Sequence, residues 1–538
     1  AFECPPEVAA LRDELLYAPD RNKPETKAVE QACAQTGLVP ARLFERCGLV
    51  ADSHAYHLGR FLHEFFPGGT GFPPHEPVLA PEDLPLADAP AFSLDDIGTT
   101  EIDDAFSVAR VSDDEWRVGI HIAAPGLAFA PGSGLDAIAR ERLSTAYMPG
   151  RKYTMLPDDT VAVLSLDEGA VRPAVSLYLN IGAQDLRIRG RHTRLERVRV
   201  AANLRHAEHD ALNAAFESGR PGGPRGLRFE EELHFLWRLA LSLEAARGKP
   251  SAMITHLDYV FRVERERVEI EQRKRGAPLD KAVSELMIQT NTSWGGFLAE
   301  RDVAALYRVQ TSGKVRMSVH AEAHEGLGVT GYAWMTSPLR RYVDLLNQWQ
   351  LVAAVRGERP PFNRNSEGLL ASLRAFEVTA AGYDEHQRAM EDFWCLRWLA
   401  QEQKKQVVAS VVKGDLVRLE EIPLLLHVPG LGVHARGTRV LLRGKEYVYP
   451  LEMLQVLFGV SPLLSARILF DYSIATVKSF FAPAKKEDSF EEWGVRNLGR
   501  TLYDLCFGLY SARVWGLPTS QISSKQAQRV AKLNLKNI

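Results

Sequence analysis

The sequence predicts a multidomain α/β (α+β) protein: a helical N-terminal domain, a central mixed α+β body and a small C-terminal β-barrel. Three observations lead there. A chain of 538 residues is too long for one hydrophobic core and implies three or four domains. Residues 1–86 read as helical, whereas AFSVARV and WRVGIHIA further on alternate as two strands around a polar turn. Residues 405–455 then break into short strands. The expected divisions are 1–86, 87–400, 401–455 and 456–538.

In the first division, KPETKAVEQACAQTGLVPARLFERCG holds a helix, a turn at Thr36-Gly37 and a second helix after Val39-Pro40. That spacing suits a helix-turn-helix or winged-helix domain. The run Phe66 to Gly71 and the proline-rich stretch 73–90 read as a linker.

The second division opens on SLDDIGTTEIDDAFSV, residues 93–108, which gathers Asp95, Asp96, Glu101, Asp103 and Asp104 at the mouth of a hairpin. Like charges held together are unfavourable unless something neutralises them. A hard cation such as magnesium, which takes oxygen ligands, is the expected neutraliser, and a hydrolytic site the expected use. Further on, RIRGRHTRLERVRV alternates arginine with other residues, so one face of a strand would be basic, as a nucleic-acid contact or as a solvated face. Asp280 to Glu300 reads as a helix with Val283, Leu286, Met287 and Trp294 inward. In GLGVTGYAWMTSPLRRYVD, Ser337 is the expected N-cap and Pro338 the first helical residue, with Leu339, Val343 and Leu346 as a buried stripe. Arg340 and Arg341 then fall in the first helical turn, where they oppose the helix dipole unless an anion lies between. The alternative is an ion pair with Asp344 or Glu391.

In the third division VVASVVKGDLVRLEEI, LLLHVPGLGVHARG and RVLLRGKEYVYP give five short strands, the length of an OB-fold barrel. The last 83 residues do not continue the pattern, apart from an apolar helix-like segment over Glu491 to Trp515 and a basic tail. A net charge of −3 excludes a basic coat for nucleic acid but not a local basic channel. Five scattered cysteines without a CxxC pair argue against structural zinc and a disulfide framework. With no apolar run of membrane length and no signal peptide, a cytoplasmic monomer is expected. The start at Ala1 rather than Met points to a few missing residues.

Taken together, the motifs resemble the ribonuclease II family of 3′→5′ exoribonucleases. The family's acidic signature, D-x5-D-x-D-D, falls on Asp95, Glu101, Asp103 and Asp104. His121-Ile122-Ala123 with Gly132-Ser133-Gly134-Leu135-Asp136 is similar to its HIAD…GSxLD, and Tyr147-Met148-Pro149 with Met155-Leu156-Pro157 to its YLP…MLP. Glu285, Met287 and Asn291 match its ExMxxxN helix. His324, Gly326, Leu327, Gly328, Tyr332 and Thr336 to Tyr342 match HxGLG…Y…TSPIRRY. Glu391 matches a glutamate on a later helix. The resemblance covers residues 91–400, the RNB catalytic domain.

The resemblance implies a processive, magnesium-dependent enzyme that hydrolyses single-stranded RNA from a free 3′ end to nucleoside 5′-monophosphates, in RNA degradation and processing. Asp95, Asp103 and Asp104 would hold one or two magnesium ions. Arg340 would grip the scissile phosphate, Tyr147 would stack on a base near the 3′ end, and Arg341, Glu285 and Glu391 would complete the RNA contacts. Catalysis would rest on Asp103, Asp104, Arg340 and Glu101. Asp96 lies outside the spacing and reads as a turn or solvent residue. Glu101 stands where the family usually has Asp; its extra methylene displaces the carboxylate by about 1.5 Å and favours a water-mediated role. Thr255, in Ala252 to Thr255, aligns with an aromatic that would stack opposite Tyr147, and His206 with a tyrosine linked to RNA preference. A helical N-terminal domain replaces the family's cold-shock domains. Two alternatives are a non-catalytic RNA-binding relative and a DNA-binding regulator led by the helix-turn-helix.

Overall fold

The computed structural model describes residues 2–96, 98–205, 209–218, 227–248, 256–264, 267–428, 431, 434–443, 462–481, 489–504 and 519–521. The chain forms two compact units. One comprises Phe66–Glu264 and Glu271–Glu391; the other comprises Ala1–Phe65, Arg265–Ile270 and Asp392–Ile538.

The larger unit is built on seven strands: β1 (Ala91–Asp95), β2 (Asp104–Arg110), β3 (Glu115–Ala123), β4 (Ala146–Met148), β5 (Arg151–Tyr153), β6 (Val171–Gly182) and β7 (Ile188–Arg205). β1, β2, β3, β6 and β7 close a barrel, and β4 and β5 make a separate hairpin. The two alternating runs of the sequence are β2 and β3, paired from Asp104↔Ile122 to Arg110↔Trp116. β1 closes the barrel by running parallel to β7 from Ala91↔Val200 to Asp95↔Arg205. Val118, Ile120 and Ile122 share one core with Phe106, Leu177 and Leu179. On the other face of β3, His121 lies between Ser107 and Ser176, both at 2.8 Å. Burial pushes its pKa down to about 3, so it is a neutral core residue. A side chain at Gly119 would sit 2.5 Å from the Ser107 hydroxyl, so only glycine fits there.

The helix Pro278–Glu300 covers the expected 280–300, with Leu286 and Trp294 buried. The helix Tyr342–Arg356 is buried on every side from Tyr342 to Ala353, not along a single stripe. Its polar residues are bonded inward. Asn347 holds both Leu306 and Trp334, and Gln348 accepts from Gly126 N–H and donates to the Ala123 carbonyl, each at 2.8 Å. A buried polar group left without its partner costs about 1–3 kcal/mol, so these amides fix the helix in register as firmly as its leucines do.

Residues 66–90 are not a linker. Phe66 is buried and stacks near Tyr153 and Tyr383. Pro85 and Ala87 exchange backbone hydrogen bonds with Arg197 of β7, whose Nε donates to the Leu84 carbonyl at 3.0 Å. Prolines that would break a helix are compatible with this extended strap. Arg191, Arg194 and Arg199 of β7 are exposed, so the arginines do lie on a strand, but Arg194 is on the opposite face from Arg191 and Arg199 and the exposed arginines are not confined to one face.

In the smaller unit, the helices Pro24–Thr36 and Pro40–Arg46 flank Gly37, at φ +71°, where the sequence placed the turn. Leu15, Val29, Leu43, Phe44 and Val50 form their core. No strand occurs among the described residues of 1–65. The strands Gln406–Lys413, Leu416–Leu419, Leu425–His427 and Arg439–Arg443 make one antiparallel sheet of four. The fifth expected strand, and the barrel it would complete, reach beyond Arg443 into residues outside the described ones. The helix Pro462–Phe481 went unforeseen in the sequence. The helix Phe490–Leu498 begins on a capping box of Ser489 and Glu492 and overlaps the start of the expected helical segment at Glu491. No helix of the described residues is long and apolar enough to cross a membrane.

Candidate active site

The barrel itself brings the acids together. Asp95 ends β1 and Asp104 begins β2, so both stand at one mouth of the barrel, joined by the loop that carries Glu101 and Asp103. Asp103 is buried. Its Oδ1 accepts the Leu339 N–H at 2.9 Å and its Oδ2 accepts Arg340 Nε at 3.1 Å. Arg340 also donates from Nη2 to the Ser337 hydroxyl at 2.9 Å. Ser93 donates a hydrogen bond to Asp95.

Burial dominates the electrostatics of the acids, and their neighbours add to it. Burial raises the Asp104 pKa to about 8, reinforced by Asp95 and Asp103 and only partly opposed by Arg340. Burial likewise raises Asp103 to about 7 against the pull of Arg340 and the Leu339 N–H. Burial would lower the pKa of Arg340, but Asp103, Tyr147, Asp344 and Asp104 outweigh it and raise it, so the guanidinium stays charged.

The expected helix start at Ser337 is corrected by the structure. Residues 337–340 form a turn, and the helix begins at Tyr342, with Arg341 extended at φ −136° and ψ 123°. The cause is tertiary. Thr145 N–H donates to the Arg340 carbonyl and Tyr342 N–H to the Leu143 carbonyl, both at 2.9 Å, and Ser144 bridges Arg341. This pairing holds the chain extended past the point where Pro338 would have started a helix. It also ties Arg340 to the segment leading into the β4–β5 hairpin, which carries Tyr147. Leu143 adopts φ +60°, a conformation uncommon outside glycine, as the chain turns into the site.

The two arginines therefore part company. Arg341 makes a bidentate pair with buried Asp344, both contacts 2.8 Å, and lies 4.1 Å from the Trp334 ring. Of the two readings weighed for Arg341, the Asp344 ion pair is the observed one. Arg340 faces the acids.

Tyr147 is 42% exposed, and burial of its hydroxyl raises its pKa to about 12 despite the nearby Arg340. Glu101 is buried. Thr145 donates to one of its oxygens at 3.1 Å and Lys152 to the other at 2.9 Å. Asp96 is not a free solvent residue but pairs with Arg273. Glu285 is buried in a pair with Arg247, which also donates to the Leu327 carbonyl, so it braces two helices and the 326–328 loop instead of lining the site. Asn291 holds the turn before Arg340 by accepting from Met335 N–H at 2.9 Å and donating to Thr336 at 3.2 Å. Asp136 accepts from the Tyr342 hydroxyl at 2.6 Å and anchors the start of the central helix. Glu391 is half-buried and accepts from Gln387, one turn earlier on its helix. His206 and Thr255 lie outside the described residues.

Sequence reasoning missed Lys152 and Thr145, and read Ser337 as a helix cap where it instead accepts from Arg340; these three complete the site. The one signal for Lys152 was its place two residues beyond the Pro149-Gly150 turn, on the strand opposite Tyr147.

Among the described residues, no three carboxylates, histidines or cysteines converge to cage a metal by themselves. The donor chemistry nevertheless fits magnesium. That ion keeps several waters and binds through one or two carboxylates plus substrate phosphate oxygens. Asp95 and Asp104 would supply the carboxylates; burial, reinforced by repulsion from Asp95 and Asp103, raises the Asp104 pKa, and a bound cation would offset both.

A family model described as the RNB domain matches residues 84–318 and 311–357. Exoribonuclease 2 of Aeromonas hydrophila is 25% identical over 356 residues, which cover 53% of this chain and 51% of that protein. Ribonuclease II of Arabidopsis thaliana chloroplasts and mitochondria is 24% identical over 325 residues, 54% of this chain and 39% of that one. The chain thus spans about half the length of the curated relatives it matches. Among solved structures, an active-site mutant of the Dss1 exoribonuclease from Candida glabrata superposes with a TM-score of 0.60 at 18% identity, over 81% of this chain and 67% of that one. Mycoplasma genitalium RNase R in complex with double-stranded RNA gives 0.57 at 17% identity, over 68% and 74%. Yeast Ssd1, a pseudonuclease, gives 0.56 at 16% identity, over 70% and 56%. At these identities the structures share the fold.

Proposed function

The chain belongs to the ribonuclease II family of RNB-domain proteins, and we propose that it is an active, processive exoribonuclease. It hydrolyses single-stranded RNA from a free 3′ end to nucleoside 5′-monophosphates, in RNA degradation and processing. One observation carries this reading: Arg340 is held by buried Asp103 beside Asp95 and Asp104, on a segment bonded directly to the Tyr147 hairpin. A phosphate grip, a carboxylate set and a stacking ring therefore converge on one place.

The residues divide the work. Asp103 and the Ser337 hydroxyl orient the guanidinium, leaving its outer edge for the scissile phosphate, where a fixed positive charge favours the transition state. Asp95 and Asp104 would hold magnesium, one ion or two, which supplies neutralisation of the phosphate charge and activation of the attacking water. Tyr147 presents its ring to a base near the 3′ end, a contact indifferent to sequence. Asn291 and Asp344 hold the turn from which Arg340 projects. The RNB unit works on RNA as a cytoplasmic monomer. The sheet over 406–443 is read as part of an OB-fold that guides the strand, and the N-terminal helices as a helix-turn-helix that contacts nucleic acid or a protein partner.

A second reading has one observation behind it: a pseudonuclease stands among the similar folds. A non-catalytic clamp would have no need to keep Asp95, Asp103, Asp104 and Arg340 together, which favours the enzyme. A DNA-binding regulator draws support from the N-terminal helices alone.

The test uses a 5′-labelled single-stranded RNA with magnesium. Wild type should shorten it one nucleotide at a time to a short stub. With Tyr147→Ala, loss of a stacked base worth about 1–3 kcal/mol should weaken binding by about 5–150-fold and leave a longer stub. An unchanged stub with Tyr147→Ala, or internal cuts by wild type, would contradict the assignment.

A further inference from the structure

We propose that Lys152 is a positioning residue. Its ammonium latches the Tyr147 hairpin to the acid loop through Glu101, so that Glu101 serves the hairpin and not the metal. The inference rests on the exoribonuclease reading of the same site.

The geometry is specific. Tyr147 and Lys152 are direct cross-strand partners in the β4–β5 hairpin, so their side chains share a face. Lys152 Nζ reaches Glu101 Oε2 at 2.9 Å and also donates to the Thr100 hydroxyl. The other Glu101 oxygen accepts from Thr145, the residue immediately before β4. One carboxylate therefore grips both strands of the hairpin. Thr145 in turn donates its backbone N–H to the Arg340 carbonyl at 2.9 Å and accepts the Met155 N–H at 3.1 Å. The Glu101 side chain is 3% exposed and that of Lys152 28%. With its charge answered by a protein cation and both oxygens engaged, Glu101 is already satisfied within the protein. The longer side chain of glutamate explains the departure from Asp at this position, because the extra methylene carries the carboxylate toward Lys152 and Thr145. Gly150 gives the hairpin its tight turn at φ +75°, and any side chain there would lie 2.7 Å from Val263. The hairpin is thus pinned at its tip by packing and at its base by the ion pair.

Three variants separate this role from metal binding and from general stability. Glu101→Gln keeps one oxygen to accept from Lys152 and turns its NH2 toward the Thr145 hydroxyl, which then accepts. Lys152→Met keeps the stem but leaves the carboxylate buried without its cation, which is unfavourable. The double variant removes that stranded charge. The first readout is quenching of 2-aminopurine placed at the 3′ end of a short RNA, measured without metal, where Tyr147 stacking is seen apart from chemistry. The second is manganese(II) binding followed by electron paramagnetic resonance. The third is the division of the kinetic effect between KM and kcat. We expect Lys152→Met to lose the quenching as fully as Tyr147→Ala does. Its KM should rise about 10–100-fold, the scale of one stacked base, with kcat within about threefold of wild type. Glu101→Gln should quench like wild type and bind manganese within about threefold, and the double variant should recover folding but not quenching. Weakening of manganese binding by more than tenfold in Glu101→Gln would make Glu101 a ligand and overturn the latch. So would full quenching in a folded Lys152→Met protein. If wild type shows neither quenching nor mononucleotide release, the exoribonuclease reading falls and the latch with it. If wild type shows both and a folded Lys152→Met protein quenches as fully as wild type, the latch alone fails.

Discussion

Arg340→Ala should lower kcat on single-stranded RNA by about 10²–10³-fold, the usual loss when one preorganised donor to a developing charge is removed. The structure gives the reason. Arg340 is the arginine of the pair whose fork is not closed by Asp344, and its Nε is fixed by a buried carboxylate at 3.1 Å. The same substitution leaves Asp103 buried, without its cation and held by the Leu339 N–H, so some loss of stability is expected too. Arg340→Lys separates the two effects. It restores a positive charge near Asp103 but cannot hold Asp103 and Ser337 while presenting a free edge to phosphate. Stability should return while most of the kcat loss persists. Steady-state kinetics with thermal melts of the three proteins would check this. A folded Arg340→Ala protein within tenfold of wild type would refute the assignment.

Asp104→Asn should abolish at least about 100-fold of the activity in magnesium while improving the metal-free protein. The sign follows from the pKa. Asp104 is raised from 3.8 in the unfolded chain to about 8 in the folded one. Its contribution to stability is therefore complete below pH 4, declines as the unfolded chain ionises first, and is lost once the pH passes 8. Asparagine has no such penalty. In chelator at pH 7 the variant should melt at a higher temperature than wild type, by a margin that grows between about pH 4 and pH 8 and then levels off. Adding magnesium should raise the melting temperature of wild type more than that of the variant. Equal melting temperatures across that range, or full activity of the variant, would remove Asp104 from the site.

Much of the site was legible because its acids lie in one short loop. The two strands that bracket it alternate cleanly, and spacing alone put Asp95 and Asp104 at one mouth. The turn between the helices at Gly37 was equally readable, because only glycine sits easily at φ +71°. What could not be read was set by tertiary partners. Ser337-Pro338 carries a good helix-start signal, yet pairing with residues 143–145 delays the helix to Tyr342 and turns Arg341 onto Asp344. Glu285 sits in a motif that suggested an RNA contact, but Arg247, 38 residues away, closes on it. The strap over residues 66–90 looked like a linker because its partners, Arg197 and Arg142, lie far along the chain. Glu101 was recognisable as the odd member of the acid set. That it belongs with Lys152 and Thr145 is visible only when the hairpin is folded.

The most direct test of the account compares one RNA in two forms, linear with a free 3′ end and covalently circular, each incubated with the full chain and magnesium. The linear form should disappear into nucleoside 5′-monophosphates and a short 5′ stub, and the circle should survive intact. Cleavage of the circle would contradict attack from a 3′ end, and tight binding of the linear form without release of mononucleotides would contradict catalysis itself.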